Sequence, residues 1–108
     1  MHLAAESRNR IFQALADPSR RAIFEALTSG EAAVKDLTTR FDISQPAVSQ
    51  HLAALRDAGL VSGRREGRHV YYRVEPQGMK PLIDWIAHHR VFWMEHVDRL
   101  ERLLEKMD

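Results

Sequence analysis

Apolar residues recur at helical spacing over most of the chain and switch to strand-like alternation once, between residues 60 and 75. A first helix is predicted over Ala4 to Ala16, with Ile11, Phe12 and Leu15 on its apolar side. Asp17-Pro18 restarts the chain: aspartate caps a helix, and proline at the first helical position gives up no needed N–H. The second helix runs to about Thr28 and buries Ile23, Phe24 and Leu27 before Gly30 stops it. A short third helix, about Ala33 to Phe41, offers Val34, Leu37 and Phe41 to the core, and Asp42-Ile43 form a tight turn. Ser44 caps a fourth helix that has Pro46 in its first turn and Gly59 just past its end. Leu60-Val61-Ser62 and Val70 to Val74 read as strands flanking the polar turn Glu66-Gly67-Arg68, a β-hairpin. Beyond Pro76 and Gly78 a single last helix is predicted from about Met79 to Met107, some ~45 Å long.

The fourth helix carries the most specific pattern. Val48, Leu52 and Leu55 turn one side inward, and the opposite side holds Pro46, Ser49, Gln50, Ala53 and Asp57, with Ser44 and Gln45 at the N-terminal end. An idle surface helix more often carries Glu and Lys; this face is short, polar and mostly uncharged. Gln donates and accepts together at an adenine edge, Ser bonds base or phosphate, and Ala touches a thymine methyl. Residues 33–58 therefore read as a helix-turn-helix with an N-terminal reading end. An ordinary two-helix hairpin with a neutral face is the alternative for that segment alone. The hairpin at 60–75 follows directly and takes the place of a wing, with Arg64, Arg65 and Arg68 at its tip for phosphates or the minor groove. Alternation turns Val70, Tyr72 and Val74 inward and His69, Tyr71 and Arg73 outward, and plain sheet packing accounts for both tyrosines.

Bulk charge adds little, since sixteen Lys and Arg against fifteen Asp and Glu leave a net +1. The excess is local: residues 64–73 hold four arginines against one glutamate. A solvated loop explains that cluster equally well, and only its place beside the fourth helix gives it meaning. The absence of cysteine removes disulfide scaffolds, thiolate zinc sites and thiol nucleophiles. The length, with no repeat and no flexible linker, predicts a single domain over residues 1–108. No apolar run approaches the roughly 18 residues of a membrane span, and the start has no secretory leader, so a cytoplasmic protein with no membrane partner is expected. There is no glycine-rich phosphate loop and no nucleophile elbow, and Ser49 and His51, two apart on a helix, do not face each other. No catalytic residue is assigned.

In the last helix Leu82, Ile86, His89, Trp93, Val97, Leu100, Leu104 and Met107 step by three or four, broadened by Ile83, Trp85, Phe92 and Leu103. A domain of this size cannot cover such a stripe, so part is expected to face a second copy, with help from the first helix. The expected dimer interface is Ile11, Leu82, Ile86, His89, Trp93, Val97, Leu100 and Leu104, on segments 1–16 and 79–107. Glu95–Arg99 and Asp98–Arg102 are i, i+4 pairs suited to its wet side. A membrane-surface helix is the rival, and the mixed charges oppose it. Six histidines raise the question of metal: Asp84 and His88 are one turn apart, and His89 and His96 two turns. Ordinary packing explains both spacings, no four-ligand set can be named, and neither metal nor cofactor is expected.

Several ordered motifs together resemble the ArsR/SmtB-type bacterial winged-helix repressors. They are Ala14-Leu15-Ala16-Asp17-Pro18-Ser19-Arg20-Arg21, Ser44-Gln45-Pro46-Ala47-Val48-Ser49-Gln50-His51-Leu52, Leu55-Arg56-Asp57-Ala58-Gly59-Leu60-Val61 and Arg65-Glu66-Gly67-Arg68-His69-Val70-Tyr71-Tyr72. The resemblance spans essentially the whole chain and implies a homodimeric repressor that binds operator DNA and often lets go when an effector arrives. Two departures from the family's metal sensors stand out. Ala33 and Lys35 occupy the positions where many carry Cys-x-Cys, and Asp84 is followed two residues on by Ile86 rather than His. The expected fold is mainly α with a small β-hairpin wing: a winged helix-turn-helix of five helices, dimerising through the first and last. Gln45, Ser49 and Gln50 are assigned to base edges, with Pro46 beside them, Ser44 and His51 to phosphates or groove walls, and Arg64, Arg65 and Arg68 to the wing contacts. His51 also fits as a core-edge histidine. A metal-responsive repressor using histidine and carboxylate ligands on the last helix, and a protein-docking winged helix, are the alternatives. The effector, if one exists, is unidentified.

Overall fold

The computed structural model describes residues 2–107; the outermost residues of the expected domain, Met1 and Asp108, lie outside them. Helix α1 (His2–Ala16) is followed by α2 (Pro18–Leu27), a two-residue strand β1 (Ala32–Ala33), α3 (Val34–Phe41) and α4 (Gln45–Asp57). Strands β2 (Val61–Glu66) and β3 (His69–Val74) form the hairpin, and a 3₁₀ turn at Pro76–Met79 leads into α5 (Lys80–His88) and α6 (Arg90–Lys106). The sheet is antiparallel in the order β1-β3-β2, with Ala33 opposite Tyr71 and Arg65 opposite Val70.

Local chemistry sets most of these boundaries. The Asp17 carboxylate accepts the Arg20 N–H at 2.8 Å and Pro18 opens α2. The same bond, with His51 and Arg20 nearby, holds the Asp17 carboxyl below its ordinary value. Its contribution to stability is therefore present above the ordinary carboxylate pKa and lost as pH falls through the lower, folded value. Accordingly, the excess melting temperature of wild type over Asp17→Ala should be full near neutrality and shrink only in strong acid. An excess that does not change with pH would remove the carboxylate as its source.

Ser44 caps α4, its Oγ accepting the Ala47 N–H at 3.2 Å, and Asp42 takes the left-handed turn between α3 and α4 at φ 52°. At the other end Leu60 N–H donates to Leu55 C=O at 2.9 Å and Gly59 N–H to Arg56 C=O at 2.8 Å, with Gly59 at φ 79°. That is a Schellman cap, and its C″ residue Leu60 packs into the core beside Leu55. The hairpin closes through the two-residue turn Gly67-Arg68, with glycine at the first central position at φ 62°.

The core gathers Ile11, Ala14, Ile23, Phe24, Leu27, Leu37, Val48, Leu52, Leu55, Leu60 and Val61 from α1 to α4 and the root of the wing. Three expectations need correction. Ile11 is completely buried in this core, so its side chain cannot meet a second copy; its neighbour Phe12, 43% exposed, is the residue α1 presents outward. The two-stranded wing gains the stub β1 and longer strands, because ladder bonding extends pairing into residues whose side chains give no alternating pattern. The single last helix is two. His89, at φ −103° and ψ 19°, breaks it; its Nδ1 donates to the Trp85 carbonyl at 2.8 Å, and its own backbone N–H reaches the same carbonyl at 3.3 Å.

Helix α5 lies on α1, where Phe12 meets Trp85 edge-to-face at 5.6 Å. Helix α6 projects from the body. A radius of gyration of 17.3 Å exceeds the about 13 Å of a closed domain of this length, and every α6 residue from Arg90 onward is exposed. Among the described residues no helix is long and apolar enough to cross a membrane.

Candidate nucleic-acid interface

With Val48, Leu52 and Leu55 fully buried, α4 turns Gln45, Pro46, Ser49 and Gln50 into solvent, while Ala53 is half-buried beside them. The cap uses only the acceptor side of Ser44, and its hydroxyl proton stays free to donate to a phosphate. Beside this face, Gln45 and Ser49 line a cleft with Lys35 of α3 and with Arg68, His69 and Tyr72 of the wing. Recognition helix and wing thus share one surface. Lys35 was missed as a member of it, and His69 was placed only on the outward face of the wing, because the fold and not the local pattern brings them to this cleft. The charge of Lys35 on the short α3 and the outward alternation of His69 were the available signals.

Two of the expected contact residues are placed apart from this cleft. The His51 side chain is only 19% exposed and its Nδ1 lies 3.9 Å from Asp17 Oδ2, so the ring faces the α1–α2 junction and not the outer surface. Arg64 is in mid-strand on β2 and not at the tip: it pairs with Glu31 at 2.5 Å and Glu66 at 2.9 Å, with its guanidinium 4.9 Å from the centre of the Tyr71 ring. These carboxylates hold the guanidinium pKa above its ordinary value. Arg73 is shared with Glu75 at 3.5 Å. Among the described residues Arg65 and Arg68 are the wing arginines with no carboxylate within 4 Å. Arg68 occupies the turn.

Away from this surface, Ile86, Trp93, Val97, Leu100 and Leu104 are exposed, as are Ile83, Met94 and Leu103. His89 is half-buried against Trp85, and Leu82 is packed partly into the monomer's own core. Among the described residues neither Glu95–Arg99 nor Asp98–Arg102 closes within 4 Å. Asp84 is paired with Lys80 at 2.9 Å, while His89 and His96 each bond a carbonyl one turn back. Among the described residues no three His, Asp or Glu side chains lie close enough to hold one metal ion.

Residues 17–62, from the Asp17 cap into the wing, match the model of the bacterial regulatory proteins of the arsR family. The transcriptional repressor SdpR of Bacillus subtilis is 35% identical over 78 residues, covering 72% of this chain and 87% of that protein. An HTH-type transcriptional regulator of Mycobacterium tuberculosis is 46% identical over 76 residues, 70% of this chain and 71% of its own. Among solved structures, an ArsR family transcriptional regulator superposes with a TM-score of 0.74 at 34% identity, covering 83% of this chain and 93% of that one.

Proposed function

The chain belongs to the ArsR family of DNA-binding transcriptional regulators, and from that premise we propose that it represses transcription as a homodimer that occupies an operator. In this reading Gln45, Ser49 and Gln50 contact base edges in the major groove, Pro46 packs beside them, and Ser44 donates to the backbone. Arg65 and Arg68 hold phosphates or the minor groove next to that segment. The observation that carries the assignment is the shared cleft: Gln45 and Ser49 open onto the same space as Arg68, so one duplex can touch both. Two copies meet through α6 and the exposed side of α5, whose apolar residues have no cover within one chain.

The discriminating experiment is a titration of Gln50→Ala against a duplex recovered by selection and a scrambled duplex of equal length. Removing a paired bond to a base should cost about 1–3 kcal/mol on the selected duplex and almost nothing on the scrambled one. Equal weakening on both would take Gln50 out of the readout set.

A further inference from the structure

We propose that Arg64 is a positioning residue and not a DNA contact: clasped by Glu31 and Glu66, it fixes the wing against the helix-turn-helix so that Arg65 and Arg68 reach the duplex at a set distance from α4. The clasp joins elements far apart in sequence. Glu31 precedes β1 and the start of α3, Arg64 sits within β2, and their bond spans 33 positions. One guanidinium nitrogen donates to Glu31 and the other to Glu66 at 2.9 Å, while the Tyr71 ring lies 4.9 Å from the central carbon. Both terminal nitrogens are thus engaged by carboxylates. With two carboxylates against one guanidinium, the Arg64 cluster itself carries no positive charge in excess to offer a phosphate.

Register separates the roles further. Arg65 lies opposite Val70, and Val70 and Tyr72 line the cleft beside α4. Arg64 lies opposite Tyr71, on the other face of the hairpin. Neighbouring arginines in the sequence thus have different surroundings: Arg65 shares the hairpin face of Val70 and Tyr72, and Arg64 lies on the opposite face, held by Glu31. A two-stranded ribbon is a flexible platform, and β1 adds only a two-residue ladder to restrain it.

The proposal rests on the wing's contact with DNA, and the experiment separates the two. Salt-dependent titrations of wild type, Glu31→Gln, Arg64→Gln, R64E, the exchange E31R/R64E, Arg65→Ala and Arg68→Ala would use one duplex recovered by selection. Glu31→Gln makes the protein more positive; if Arg64 gripped a phosphate, this change would tighten binding. Under the positioning role it weakens binding by about threefold per wing, so about tenfold for a dimer. Arg64→Gln weakens it similarly, and both keep the wild-type slope of log K against log salt. E31R/R64E remakes only the arm across to position 31 and sets two acids together at 64 and 66, so it binds more tightly than R64E alone without reaching wild type, a rescue that misfolding would not allow. Arg68→Ala lowers the slope by about 0.9 for each phosphate it no longer neutralises. Tighter or unchanged binding by Glu31→Gln, or a lowered slope in Arg64→Gln, overturns the positioning role alone. An unchanged slope in both Arg68→Ala and a companion Arg65→Ala overturns the wing contact, and the positioning role with it.

Discussion

Leu100→Glu is expected to yield a folded monomer whose operator affinity is lower by roughly 100-fold or more. Leu100 is 55% exposed in the single chain, amid Trp93, Val97, Leu103 and Leu104, all similarly exposed along α6. A helix so apolar is stable in water only when another surface covers it. A carboxylate buried in that seam without a partner costs several kcal/mol, enough to open it at working concentrations. The reading head should survive, because its core of Leu37, Val48, Leu52 and Leu55 contains nothing from α6. Each half-site would then be bound alone, without the effective concentration supplied by the linked second site. Sedimentation and DNA titration of the same sample provide the check. A monomer with wild-type affinity would refute the dimeric mode, and an intact dimer would move the seam away from Leu100.

Gly78→Ala should destabilise the fold by about 3 kcal/mol, at the upper end of what overpacking normally costs. A Cβ at Gly78 would lie 1.8 Å from the Gly59 carbonyl oxygen, 2.7 Å from its carbonyl carbon and 3.3 Å from the Leu60 Cα. All three are backbone atoms of the cap that ends α4, so no side chain can swing aside. Either the 3₁₀ turn shifts outward or the cap opens. Both displace α5 relative to α4, which also disturbs the geometry between reading head and dimer helix. Denaturant unfolding of Gly78→Ala against the neighbouring Gln77→Ala measures this. Equal midpoints for the two would show that the turn accommodates the methyl group freely.

The sequence made the reading head legible where its chemistry is local. Ser44, Pro46 and Gly59 mark both ends of α4 because caps are made by residues within a turn of the helix end. The inward stripe of Val48, Leu52 and Leu55 follows from helical period alone, and it fixes which residues are left facing out. Features set by distant partners were not legible. Nothing near His51 announces Asp17, and nothing near Arg64 announces Glu31. On α1, two adjacent apolar residues compete for the core; Ile11 enters it, and Phe12 is left to pair with Trp85. The break at His89 involves neither glycine nor proline, the usual signals of a helix end, and its ring-to-carbonyl bond does not explain it, since His96 makes the same bond to Phe92 inside the unbroken α6.

The central claim is that two copies of the α4 face read DNA sequence together, related by two-fold symmetry. Selection of bound duplexes from a random pool, followed by sequencing of the survivors, tests it most directly. The account predicts enrichment of an inverted repeat whose two halves lie on one face of the duplex, with centres about one helical turn or a multiple apart. Survivors with no common sequence, or with a single unrepeated motif, would contradict it.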